Sequence, residues 1–211
     1  MAASLFIEAA LLVLASALAL WLRPWRCQSA QSLPWPWVFT VAVMPFLWAL
    51  DGLTGVSLSP RLSGAPLLVL LAGWPLTVLA LLPAALGAAL VGPLDWTEAL
   101  HRAVWLGLLP ATLMLGLGAV VRRWLPPHPA TYVLGRGCVA VLAACGMAVV
   151  TFTLLRRQAG AAVDASMMAA LLGAWGETVI TAWVVALGVA CRPHWLATYS
   201  DRLYWPNAAR G

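Results

Sequence analysis

The chain of 211 residues is too apolar for a water-soluble domain. Apolar residues make up 63% and charged residues 9% of it, and the mean hydropathy is +0.91, whereas roughly a quarter of a soluble domain is charged. All 12 basic residues are Arg, the net charge is +5, and no basic run exceeds two residues, which argues against a nucleic-acid partner. The composition predicts an all-α integral membrane protein, a single transmembrane domain over residues 1–211 that has the lipid bilayer as its surroundings.

The first predicted membrane spans lie near residues 5–22 and 37–53, since about 20 apolar residues cross the hydrocarbon core. The first run carries Glu8 instead of a basic leader, and arginines follow it directly, which is the charge order of a retained helix and not of a cleaved secretory signal. Ala15 and Ala19 form a small-residue face on this span. Small residues allow helix backbones to approach closely in lipid, so both are helix-packing candidates.

Residues 62–92 form a charge-free run of about 31 residues. A helix of that length measures about 46 Å at 1.5 Å per residue, which is too long for one untilted span. Gly73 and Pro75 lie near its middle and are typical of a tight turn or a broken helix. We therefore predict two spans here, near 62–74 and 76–92.

Three further apolar runs and a tail complete a predicted bundle of about seven (six to seven) transmembrane helices. With seven spans most arginines fall on one side of the membrane, which the positive-inside rule makes cytoplasmic. The amino terminus is then outside and the carboxyl terminus inside, while Arg156 and Arg157 fall on the outer side. The remaining spans lie near residues 100–121, 130–155 and 165–191, and residues 192–211 are predicted to form an interfacial tail.

Ionisable side chains at membrane depth are the candidates for a binding site. Each costs on the order of 3 kcal/mol there and usually faces a bundle interior or a cavity. Glu177 is the strongest candidate, about twelve residues into the last span, and Thr181 follows one turn later. His101, at the start of a span, is a further cavity candidate. Glu8 is so close to the start of its helix that we expect it to reach water.

Glu177 has a structural interpretation beside the functional one. As a structural residue it would hold helices together by pairing with Arg102 or Arg136. Hydrogen bonds to Thr151 or Thr153 would serve the same purpose. As a functional residue it would contact a translocated or bound ligand. The sequence leaves both interpretations open.

Motifs for catalysis or metal binding are not visible. The four Cys lack CxxC spacing and read as small hydrophobes, and the three His form no pair at helical spacing. A Walker loop, a GxGxxG sequence and a Ser nucleophile elbow are likewise missing. We predict that the protein is not an enzyme, has no catalytic residues and needs no cofactor. Whether it binds a metal is left unknown.

The last span resembles a known transporter family. The sequence GETVITAWVVALGVACRP at 176–193 is similar to the final membrane helix of cobalt and nickel uptake permeases of the CbiM/NikM type, the substrate-binding membrane components of energy-coupling-factor transporters. Residues 59–92 are similar to the paired helices of this family, which flank a Gly-Pro-Trp turn. The tail sequence RPHWLATYSDRLYW at 192–205 resembles a divergent proteobacterial branch. The resemblance covers roughly residues 50–205, and only the final helix is specific.

The chain departs from the metal-binding members of that family. They begin Met-His-Ile-Pro-Asp-Gly, whereas this chain begins MAASLF, and Arg61 or a neighbour stands where they have a ligand His. Late first-row metals prefer imidazole nitrogens, so the usual nickel or cobalt ligands are missing. A cation at Arg61 favours an anionic or chelated substrate over a bare ion.

The resemblance implies a substrate-binding component of an ATP-driven importer in a bacterial inner membrane, for a transition-metal ion or small metal complex. A scaffold protein, contacted by the Ala15 and Ala19 face, and ATPase subunits would be its partners. The alternative is a non-transporting structural or assembly subunit of a larger respiratory or photosynthetic membrane complex, with the other subunits as partners. An enclosed polar cavity would favour the importer. A core filled by Trp105, Trp183 and leucines would favour the subunit.

Overall fold

The computed structural model describes residues 2–24, 35–54, 62–92, 94–158 and 164–199. These residues form helices joined by short connections, and they contain no strand. A 3-10 turn, Pro193–Trp195, follows the last helix. The helices are α1 (Ala2–Trp21), α2 (Trp35–Thr54), α3 (Ala65–Ala72), α4 (Trp74–Val91), α5 (Trp96–Trp124), α6 (129–158) and α7 (Asp164–Cys191).

Four of these helices, α4 to α7, are long and apolar enough to cross a membrane. They correspond to the spans predicted near 76–92, 100–121, 130–155 and 165–191. The first two helices contain shorter apolar segments, Leu5–Trp21 and Trp37–Leu50. The all-α prediction is confirmed for the described residues, but a bundle of seven spans is not.

The largest difference from the sequence prediction is α3, which lies where a span near 62–74 was expected. Its eight residues extend about 12 Å, less than half of the roughly 30 Å hydrocarbon core. The break expected at Gly73 is present, because α3 ends at Ala72, Gly73 adopts φ +83°, and α4 begins at Trp74. Seven of the eight α3 residues are buried, so this helix is part of the interior of the bundle.

The interior is organised around α4, which packs against α1, α2, α3 and α5. On the other side, α6 packs between α5 and α7, and α3 contacts α7. Large side chains that fill the interior come from several helices and include Met44, Trp48, Leu68, Leu81 and Met114. The small-residue face of α1 contributes as well, because Ala19 is fully buried and Ala15 packs partly buried against the core. This face therefore packs within the chain, and Ala19 has no surface for the expected contact with a scaffold protein.

Helices α2 and α4 are in close contact at Gly87. A Cβ added to Gly87 would lie 2.7 Å from Cγ of Pro45, and a proline ring cannot rotate away. We expect Gly87→Ala to lower the free energy of unfolding in detergent by about 1–3 kcal/mol. Gly116→Ala is the matched control, since its Cβ would meet nothing within 4 Å and helix propensity favours Ala by up to about 1 kcal/mol. Equal stability of the two variants would contradict the close α2–α4 contact.

Candidate functional site

The carboxylate of Glu177 lies inside the bundle and binds the residues that precede α3. The side chain is 5% exposed. Its Oε2 accepts a hydrogen bond from the backbone N–H of Ser63, and Oε1 accepts one from Gly64, each at 2.8 Å. The thiol of Cys145 on α6 lies near the carboxylate. The carboxylate thus faces protein and not lipid, as the cost of burying a charge in lipid led us to expect.

Three of the four side chains expected to pair with Glu177, those of Arg102, Arg136 and Thr151, bond elsewhere. Arg102 donates to Glu98 at 2.9 Å and to the carbonyl of Trp48. Arg136 donates to the carbonyl of Thr198 at 3.3 Å, and the hydroxyl of Thr151 donates within its own helix. The sequence analysis expected side-chain partners for Glu177, whereas its partners in the structure are backbone N–H groups.

Glu177 is placed where the N–H groups at the start of α3 require hydrogen-bond acceptors. The first N–H groups of a helix have no acceptor within it, and their partial positive charge favours an anion. Gly64 precedes α3 with φ +72°, a conformation that glycine adopts readily. Its Cα also faces Met44, whose Cγ would lie 3.0 Å from an added Cβ. This backbone turns the N–H groups of residues 63 and 64 toward α7, where the carboxylate accepts them.

Ser63 connects the start of α3 to two further helices. Its hydroxyl donates to the carbonyl of Leu106 on α5. That carbonyl lacks the usual partner four residues later, because Pro110 has no N–H. The carbonyl of Ser63 accepts from Nε1 of Trp48 on α2 at 3.0 Å, and its hydroxyl oxygen accepts from the N–H of Ala65 at 3.1 Å.

The other end of α3 is bonded by the segment that follows α7. The carbonyl of Leu71 accepts from the N–H of Ala197 at 3.1 Å, and the carbonyl of Leu70 accepts from the hydroxyl of Thr198 at 3.1 Å. The Thr198 hydroxyl also shares a 2.7 Å hydrogen bond with the hydroxyl of Tyr132. Leu196 and Tyr199 are buried. These two residues, expected in an interfacial tail, are therefore packed into the bundle.

Together these contacts make α3 a short interior helix with bonded ends. In hydrocarbon every backbone polar group needs a partner within the protein. Glu177 supplies acceptors at one end of α3, and residues 197 and 198 supply donors at the other. A helix too short to cross the membrane can lie inside the bundle for this reason.

A second polar cluster joins α1 to α5. Oε1 of Glu8 accepts from Nε1 of Trp105 at 2.9 Å and lies 2.8 Å from Nδ1 of His101. The ring of Phe152 on α6 lies 5.3 Å from that of His101 and 5.3 Å from that of Trp105. Glu8 is only 8% exposed, so the expectation that it reaches water was wrong, because the beginning of α1 packs against α5.

We expect Glu8→Ala to lower the free energy of unfolding in detergent by about 1–3 kcal/mol, because Trp105 loses the acceptor of its buried N–H. Glu8→Gln keeps an acceptor oxygen and should lose less. Ile7→Ala is the control, since Ile7 neighbours Glu8 but is largely exposed. A Glu8→Ala protein as stable as the Ile7→Ala protein would contradict a structural role for this cluster.

The remaining candidates fall in different places. Thr181 is buried on α7, one turn after Glu177. Arg61 lies outside the described residues. Trp183, expected to fill the core, is 67% exposed and faces away from it. Among the described residues no group of three or more His, Cys, Asp or Glu side chains is arranged to hold a metal ion.

Sequence reasoning missed Ser63 and Gly64 as the partners of Glu177. Their signal was present, because Gly-Ala-Pro after a Ser is typical of a helix start. That start was overlooked while residues 62–74 were treated as one membrane span.

No family model, curated protein or solved structure matches the chain.

Proposed function

We propose that the protein is the substrate-binding, permease-like membrane component of an energy-coupling-factor importer in a bacterial inner membrane. The observation that supports this most is the end of α3 inside the bundle, beside the carboxylate of Glu177. Transporters build substrate sites where interrupted helices end at membrane depth. The resemblance to the CbiM/NikM type at 176–193 includes Glu177 and agrees with this proposal.

The substrate that suits this site is a transition-metal ion or a small metal complex. A carboxylate attracts a cation, while the N–H groups of Ser63 and Gly64 attract an anion. These groups bond to each other in the structure, which would be the closed state of the site. Separation of α3 from Glu177 would make both available to a complex that carries a metal and an anionic ligand. The site itself performs no chemical step.

The energy for this separation would come from partner proteins. A scaffold protein and a pair of ATPase subunits would reorient the bundle as ATP is hydrolysed, and so present the bound substrate to the cytoplasm. The small-residue face at Ala19 is already buried by this chain, so the scaffold would contact another surface.

Affinity purification from native membranes tests the proposal. We expect an ATPase pair and a scaffold protein to co-purify, and we expect plasma mass spectrometry to find nickel, cobalt or copper bound near stoichiometrically. Glu177→Gln should lower the metal content without loss of the partners. Purification with neither ATPase subunits nor metal would contradict an importer.

A second function is favoured by how completely α3 and Glu177 are bonded. Both carboxylate oxygens and both ends of α3 have hydrogen-bond partners within the protein. This is expected of a purely structural contact between helices. The protein would then be a non-transporting structural or assembly subunit of a larger respiratory or photosynthetic complex. Co-purification of redox subunits in place of ATPases would support this second function.

A further inference from the structure

We propose that a groove between α5 and α6 binds one acyl chain of an anionic phospholipid, whose phosphate is held by Arg123. This inference does not depend on the proposed function. It rests on the shape and chemistry of the groove, on the side chains that continue it along α5, and on the distance from the groove to the arginine.

The groove is an open depression of about 480 Å³ on the outer face of the bundle. Leu109 and Leu113 line it from α5, and Ala143, Gly146 and Val150 line it from α6. An added Cβ at Gly146 would meet nothing within 4 Å. Packing within this chain therefore does not explain the glycine at this position.

The lining of the groove is almost entirely apolar. Its one hydroxyl, that of Thr151, already donates to the carbonyl of Met147 at 2.7 Å. The other lining residues present alkyl groups, glycine and a thioether. An apolar chain fits such a surface better than a solute carried through water, because it requires no hydrogen bonds.

The groove continues along α5 toward a positive charge. Residues three or four apart share one face of a helix, and this spacing leads from Leu113 through Gly116 and Val120 to Arg123. Gly116, Val120 and Arg123 are exposed. Arg122 lies about 100° around the helix from Arg123, and therefore off this face.

The distances match one leaflet of a bilayer. Arg123 is ten residues after Leu113, which is about 15 Å at 1.5 Å per residue and half of the roughly 30 Å hydrocarbon core. Trp124 is 79% exposed beside Arg123, as is usual for an aromatic residue at head-group level. A phosphate at Arg123 would thus place its acyl chain along α5, so that the chain enters the groove at Leu113. An anionic head group complements the arginine.

Lipid retention measured by native mass spectrometry tests this site. The full-length protein is released from micelles that contain phosphatidylglycerol or, separately, phosphatidylcholine. We expect one phosphatidylglycerol to be retained in preference to phosphatidylcholine, and Arg123→Gln to weaken its retention about fivefold. Arg122→Gln removes the same charge from the neighbouring position and should leave retention unchanged.

The acyl-chain part of the site is tested by filling the groove. Gly146→Leu should lower phosphatidylglycerol retention severalfold. Gly176→Leu should not, although an added Cβ at Gly176 also meets nothing within 4 Å. Thermal unfolding measurements identify a variant that fails to fold. If Gly146→Leu fails to fold, Arg123→Gln still tests the head-group contact. Equal retention of both lipids, or equal effects of the two arginine substitutions, would overturn the proposal.

Discussion

Glu177→Ala is expected to lower the free energy of unfolding in detergent by about 4 kcal/mol. Two N–H groups, those of Ser63 and Gly64, would stay buried without an acceptor, and each such group costs about 1–3 kcal/mol. The loss should be visible as a much lower melting temperature in a detergent-solubilised thermal unfolding assay.

Glu177→Gln is the graded comparison, because its amide oxygen can replace one carboxylate oxygen while the amide nitrogen cannot accept a hydrogen bond. We expect it to lie between the wild type and Glu177→Ala in stability. Val179→Ala is a surface control on the same helix, at a residue that is exposed. If the Glu177→Ala and Val179→Ala proteins had the same melting temperature, the carboxylate would not be stabilising the start of α3.

A chain ending at Trp195 is expected to be about 5 kcal/mol less stable than the full-length protein. It lacks Leu196, which is 2% exposed, and removal of a buried leucine side chain costs about 2–5 kcal/mol. It also lacks the donors of residues 197 and 198 to the end of α3, each worth about 1 kcal/mol. Size-exclusion chromatography after heating would record the loss as earlier aggregation.

The matched control for this truncation is a chain ending at Tyr199. It keeps residues 196–199 and loses only residues 200–211. We expect it to resist heating as the full-length protein does. Equal losses in the two truncated chains would mean that residues 196–199 do not stabilise α3.

The helical class and the long apolar helices could be predicted because they depend on composition and run length alone. The break at Gly73 could also be predicted, since its glycine and the following proline mark it. The length of α3 could not, because a buried helix and a membrane span have the same apolar sequence. Its polar partners lie more than a hundred residues away in the chain.

The candidate site was predictable only in part. The cost of a charge in hydrocarbon is local, so the inward orientation of Glu177 follows from its position in the last helix. Its partners depend on tertiary packing, and the same is true of Glu8. Nothing in the sequence around Glu8 shows that Trp105 and His101 lie against it.

The bonding of α3 by distant residues has a consequence for biosynthesis. The groups that complete its two ends come from positions 113 and 128 residues later in the chain. While the ribosome is still making α5 and α6, α3 has already been synthesised. The amides and carbonyls at its two ends then still lack their hydrogen-bond partners from residues 177, 197 and 198. The bundle can therefore close only after α7 and residues 197 and 198 have been made. A nascent chain arrested before α7 would contain most of its helices and still lack a sealed interior.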